Sequence, residues 1–203
     1  MPVVNARIDA SAEFVDPALV NVYGCTVGPG TRIEPFVEIQ RGAVVGARCR
    51  IGANAFLCEG VSLEDDVAVG PGVMFTNDRH PRAITAAGTL MGPEDWTLET
   101  TRVGAGAVIG ANATILCGLS IGAGARISPG SVVTRDVPPG AQVAGVPART
   151  GHAAGVPAGA GHAAGVPART SHAAGVPAGA GDETGLPATP SHTTSLLNLA
   201  EAS

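Results

Sequence analysis

The chain has 203 residues, a formal net charge of −5, and 45% hydrophobic but only 3% aromatic residues. That length suits one domain with a sizeable core of Val, Ile, Leu and Ala. The acidic balance argues against a nucleic-acid binder, which would carry a basic face. The first residues lack a charged stretch followed by an apolar one, and no apolar run approaches a membrane span, so a cytoplasmic protein is expected, with neither signal peptide nor membrane contact. All twelve basic residues are arginine, which we attribute to the base composition of the gene rather than to function.

Residues 1–26 are the least patterned part. Val15 falls in step with the rhythm that follows and Asn21 breaks it, so this segment is expected to form an N-terminal cap. From Val27 an aliphatic residue returns at every sixth position, at Ile33, Ile39, Val45, Ile51, Leu57, Leu63 and Val69, with Phe75 closing the run. Ile, Leu and Val make up roughly a fifth of the chain, so this series is not composition. A fixed period of six marks a parallel β-helix. Each hexad is one short strand and one turn, three hexads make a triangular coil, and each anchor stacks inward on the next coil about 4.8 Å away. Glycine follows half of the anchors (Gly28, Gly46, Gly52, Gly70, Gly104, Gly110, Gly122), which suggests tight turning at the corners. Small or branched residues precede many anchors by two (Cys25, Thr31, Val37, Ala43, Cys49, Ala55) and suit a narrow interior. No helical period of 3.6 is present; the fold class is all-β.

The acidic cluster Glu64, Asp65 and Asp66 invites a metal, but a solvated turn on the outer wall is the preferred reading, and no metal is expected. Cys25, Cys49, Cys58 and Cys117 form no CxxC pair and read as reduced core or wall residues.

Residues 76–102 interrupt the rhythm. Phe75 and Val103 are 28 residues apart, which is no multiple of six, so the chain leaves the prism and returns shifted. A solenoid admits insertions at its corners, and loops on a rigid scaffold are where function concentrates. This excursion holds the only tryptophan, Trp96, together with Asn77, Asp78, Arg79, His80, Arg82, Glu94, Asp95 and Glu99. An active site is expected here. The rhythm resumes at Val103, Ile109, Ile115, Ile121, Ile127 and Val133, and Pro138-Pro139-Gly140 ends it. From Val143 a ten-residue repeat begins (VAGVPARTGH, AAGVPAGAGH and so on). Residues 150–203 are too rich in Gly, Pro and Ala for a core and are expected to be a disordered low-complexity tail, with a short helix over Ser195–Glu201 as its only candidate element. His152, His162, His172 and His192 recur there as by-products of duplication rather than metal ligands.

The hexads, the loop VMFTNDRHPRA (Val73–Ala83), DWTL (Asp95–Leu98), IGANATILCGLSIG (Ile109–Gly122) and the ending GSVVTRDVPPGAQVAGVPAR (Gly130–Arg149) together resemble the left-handed β-helix acyltransferases. Within them the closest resemblance is to the N-acetyltransferases of nucleotide-linked amino sugars. The similarity covers residues 27–149. It implies a left-handed coil, against the general preference for right-handed crossovers. It further implies a homotrimer with active sites between neighbours, and acetyl-CoA as co-substrate. The reaction is then attack by a neutral amine on the thioester carbonyl, which needs alignment, loss of the amine's proton and donors for the oxyanion.

By resemblance, Asn77 and Asp78 position the sugar and its amine. His80, in a His-Pro pair, is a base with an unperturbed pKa of about 6.5, or alternatively a pocket wall. Arg82 pairs with the nucleotide diphosphate or faces solvent. Gly104, Ala105, Gly122 and Ala123 lie along the coenzyme groove, with backbone donors expected at Gly104–Gly106, and Arg149 stands near the CoA phosphates. Two rivals are weaker. A γ-type carbonic anhydrase needs three zinc-bound histidines and the folded region holds one; a passive scaffold gives no reason for a polar loop. An O-acetyltransferase acting on a sugar or antibiotic hydroxyl, with His80 as its indispensable base, is the serious alternative.

Overall fold

The computed structural model describes residues 3–151. The tail readings, including the Ser195–Glu201 helix and the four recurring histidines, lie outside the described residues. What is described is a prism of short strands in three parallel sheets. The first face stacks residues 3–4, 21–23, 38–39, 56–57, 74–75, 114–115 and 132–133. The second face stacks 7–8, 26–27, 44–45, 61–63, 101–103 and 120–121, and the third 13–14, 32–33, 50–51, 68–69, 108–109, 126–127 and 142–145. Ala148–Thr150 then turns back antiparallel on Gln142–Gly145 and closes the end of the third face. No helix among the described residues is long and apolar enough to cross a membrane.

The register follows from three hexads per coil. Val27 pairs with Val45, Val45 with Leu63, and Ile33 with Ile51, one coil being eighteen residues. The anchors and the small residues two places before them fill the core: Ile33, Ile39, Ile51, Leu57 and Ile115 are fully buried, and Cys25, Thr31, Val37, Ala43, Cys49 and Ala55 nearly so. Buried Thr31 is satisfied, its Oγ1 donating to the Gly46 carbonyl (2.8 Å) and accepting from the Cys49 N–H (3.0 Å), as a buried hydroxyl requires. All four cysteines are buried free thiols, and burial pushes the Cys58 thiol up to about 11, so it is protonated at neutral pH.

Two details differ from the sequence reading. Val15 is exposed, and Phe14 takes the inward position opposite Ile33. The position that the count gives to Asn21 is filled by Val22, paired with Ile39 one residue short of a hexad before Val27, while the 3-10 turn at Pro17–Leu19 lengthens the corner between Phe14 and Val22. The glycines after the anchors do not provide a left-handed turn. A Cβ at Gly104 would lie 2.5 Å from the Ala123 nitrogen, and one at Gly52 2.6 Å from the Pro71 nitrogen. These positions are glycine because the next coil's backbone passes where a side chain would stand. Positive φ falls two residues later, at Gly30, Arg48, Asn54, Asp66, Asn112 and their equivalents.

The acidic cluster belongs to the outer wall. Arg48 grips Asp66 with two bonds (2.7 and 2.8 Å) and also reaches Asp65. Glu64 pairs with Arg102 and accepts the Ala105 N–H (2.9 Å).

Because each anchor packs against coils on both sides, shortening one leaves a cavity that cannot collapse. Ile115→Ala is expected to lower stability by about 3 kcal/mol, within the usual range for such truncations. Urea unfolding read by circular dichroism checks this: the midpoint should fall while the slope is kept.

Candidate active site

The excursion leaves the prism after Met74–Phe75 on the first face and rejoins it at Thr101–Val103 on the second. Leu63 pairs with Val103, forty positions on, twenty-two more than one coil. The insertion is therefore confined to one corner, and the stack continues beneath it undisturbed. Within it, Ile84 and Leu90 form an antiparallel bridge, closed by bonds from Thr85 N–H to the Thr89 carbonyl (2.8 Å) and Met91 N–H to the Ala83 carbonyl (3.1 Å).

The loop walls off two adjoining cavities. The larger, about 600 Å³, is lined by Asp78, Arg82, Met91, Trp96 and Leu98 of the loop, and by Arg41 and Glu59 of the coils. The smaller, about 200 Å³, shares Asp78, Arg82 and Trp96 and adds His80, Arg79 and Glu99. Asp78 and Arg82 thus face both, and His80 only the smaller. Asp78 Oδ1 accepts the His80 N–H (2.8 Å), which fixes the short turn that carries both side chains. Asn77 is at the root of the loop rather than on a cavity wall: its Nδ2 donates to the Glu59 carbonyl (3.3 Å) and its carbonyl accepts the Glu99 N–H (3.0 Å). Arg41 and Glu59, ion-paired at 3.2 Å, went unnoticed in the sequence. Their signal was the coil length, since Arg41, Glu59 and Asn77 succeed one another at eighteen residues.

Gly104, Ala105, Gly122 and Ala123 stand elsewhere. They are successive corners between the second and third faces, one edge of the prism away from the corner that carries the loop. Their backbone is committed to the stack. The N–H groups of Gly104, Ala105 and Gly106 donate to the Ile121 carbonyl (2.7 Å), Glu64 Oε2 (2.9 Å) and the Asp65 carbonyl (2.9 Å). The oxyanion donors expected at Gly104–Gly106 are therefore already used. Arg149 is on the closing hairpin, beside Arg135 and Asp136 at a third small cavity.

Two family profiles match the chain: the bacterial transferase hexapeptide (six repeats) over residues 24–58 and 100–135, and the hexapeptide repeat of succinyl-transferase over 42–76. Serine acetyltransferase 2 of Arabidopsis thaliana is 35% identical over 128 residues, 63% of this chain and 32% of that protein. The chain thus spans about a third of that relative's length. Among solved structures, an N-acyltransferase of Bacillus cereus, in complex with dTDP-4-amino-4,6-dideoxyglucose and coenzyme A, superposes with a TM-score of 0.54 at 17% identity, covering 72% of this chain and 82% of that one. The acetyltransferase domain of PglB from Neisseria gonorrhoeae gives 0.51 at 21% identity, covering 71% and 57%. The chain thus carries the hexapeptide repeats that mark these transferases, over residues 24–76 and 100–135, and shares the left-handed parallel β-helix of these structures.

One group at this site carries a pH signature. The bonds from Arg79 hold the Glu99 carboxyl below its ordinary 4.5 against the opposing effect of burial, and the charges of Arg79 and His80 lower it further. A depressed carboxyl contributes stability above its unfolded value and loses it as pH falls through the folded one. The loop should therefore stay closed from neutrality down to the ordinary value of 4.5 and open below it. Emission from Trp96, the only tryptophan, measures this: it should be flat above that value and shift below it in wild type, with Glu99→Gln shifted already at neutral pH.

Proposed function

We propose that this protein is an acetyl-CoA-dependent N-acetyltransferase acting on the amino group of a nucleotide-linked (dTDP or UDP) amino deoxysugar. The observation that carries the reading is the cavity of about 600 Å³ beneath the loop, where Asp78 and Arg82 stand with Trp96. It is roomy enough for a sugar nucleotide fragment, within the usual size of small-molecule sites. Asp78 spends one carboxylate oxygen on the turn, and the other takes no hydrogen bond from the described residues; it is the group to receive an ammonium before the amine loses its proton. Arg82 is the cation for the diphosphate, suited by its planar fork. His80 lines the adjoining wall, and we assign it the proton. Asn77 acts by holding the loop root.

Acetyl-CoA then runs along the edge formed by Gly104, Ala105, Gly122 and Ala123, with Arg149 near its phosphates. That edge and the loop corner are separate in one prism, which supports a homotrimer in which the loop of one subunit meets the edge of the next. Attack of the amine nitrogen on the thioester carbonyl forms the C–N bond, and collapse expels the CoA thiolate. The catalytic assignment is thus Asp78 and His80 for the amine and its proton, with Asn77 in support.

A second reading has its own support. The 35% identity to a serine acetyltransferase and the His80-Pro81 pair fit an O-acetyltransferase acting on a sugar or antibiotic hydroxyl. A hydroxyl needs a general base; an amine, once neutral, attacks without one.

A thiol-release assay with acetyl-CoA against nucleotide-linked amino sugars and hydroxyl acceptors decides between them. Turnover on an amine, with His80→Ala reducing kcat no more than about tenfold and Asp78→Ala reducing it about a hundredfold, is the expected result. Turnover confined to a hydroxyl, abolished by His80→Ala, overturns N-transfer.

A further inference from the structure

We propose that Arg79 and Glu99 form a positioning clamp that fixes where Asp78 and His80 stand relative to the coil. Arg79 lies between those two residues in sequence, yet its guanidinium turns toward the coil beneath. Its Nε donates to both Glu99 oxygens (3.0 and 3.1 Å), and its Nη2 donates to Glu99 Oε2 and to the Cys117 carbonyl (3.0 Å). Glu99 also donates its own N–H to the Asn77 carbonyl (3.0 Å). The outgoing leg of the loop at 77–79 and the returning leg at 99 are thus tied by backbone and side chain together. The pair is then pinned to the coil below.

The coil is cut to receive it. Gly118 has φ +71°, and a Cβ there would collide with the Glu99 carboxylate and the Arg79 guanidinium. Three independent features therefore meet at one point: a bidentate ion pair, a backbone carbonyl aimed at it, and a glycine that leaves it room. A surface ion pair alone is worth little to stability, so its consequence is geometric. Asp78 and His80 flank Arg79 on a turn closed by the Asp78–His80 bond; rotating Arg79 away moves both. Misplacement of a reacting group by about 1 Å costs about a hundredfold in rate.

This inference rests on the acetyltransferase assignment for its kinetic arm, but not for its structural one. The test uses full-length protein with Arg79→Met, Glu99→Gln, the double variant, Arg79→Lys and Gly118→Ala. Two readouts are taken: kcat and KM for acetyl-CoA and acceptor, and the rate of tryptic cleavage after Arg82 in the native protein. Each single variant should lower kcat by about a hundredfold with KM for acetyl-CoA within about twofold. The double variant should be no worse than either single one, as expected of partners in one interaction. Cleavage after Arg82 should quicken about tenfold as the loop opens locally. Arg79→Lys should recover part of both losses, and Gly118→Ala, which displaces the clamp without removing a charge, should reproduce them. Wild-type kcat and wild-type cleavage in Glu99→Gln and Gly118→Ala would overturn the clamp, as would fully additive losses in the double variant. If no acceptor turns over, the acetyltransferase assignment fails separately, and cleavage after Arg82 still decides the clamp.

Discussion

Each coil must land in register on the one before it, at eighteen residues wherever the hexads are regular, and that stacking constrains everything else in this molecule. Backbone hydrogen bonds run from coil to coil with nothing between them, and at the corners the passing backbone takes the space of a Cβ, as it does at Gly52 and Gly104. Inside, one aliphatic anchor per hexad rests on the next. Parallel strands of two residues are far too short to persist alone. They persist here because all but those at the two ends of the stack are sandwiched, so that stability is a sum of interfaces between neighbouring coils.

Such a stack has little tolerance for polar side chains inside and little variety outside. Specificity must come from a place where the chain can leave without disturbing the register. A corner is that place, and the twenty-two additional residues between Leu63 and Val103 are spent at one corner only. The excursion gathers Asp78, His80, Arg82 and Trp96 around two cavities, and it is anchored back onto the coils by Asn77 and by the Arg79–Glu99 pair. The rigid prism thus acts as a fixed reference against which a mobile class of structure, a long loop, can be held in one geometry. The remaining edges stay regular, and a regular edge suits an extended ligand that must lie along several coils.

The rhythm of anchors made the prism legible because burial is periodic and each inward slot demands an aliphatic residue. The first coil was harder: Phe14 and not Val15 is turned inward, since a 3-10 turn at Pro17–Leu19 shifts the count, and a single residue reverses which side chain is buried. The post-anchor glycines were visible but their cause was not, because close approach of a neighbouring coil is a contact at a distance of eighteen residues. The loop was recognisable as a break in register and by its polar residues. Its partners Arg41 and Glu59 were not, for they sit in ordinary hexads and become neighbours of Asp78 only once coils are stacked. The commitment of the N–H groups at Gly104–Gly106 was likewise invisible, as Ala105 bonds a side chain forty-one residues away.

In the proposed trimer two different prisms build one reacting centre, a loop from one and an edge from its neighbour. Subunit mixing tests it most directly. Asp78→Ala disables the loop, and Ala123→Trp, at an exposed corner, obstructs the edge. Each variant alone should keep no more than about a hundredth of wild-type turnover, and co-refolding them in equal amounts should restore about a quarter of it, because in a random cyclic trimer about a quarter of the interfaces join an intact loop to an intact edge. A mixture as inactive as its two components would contradict the account.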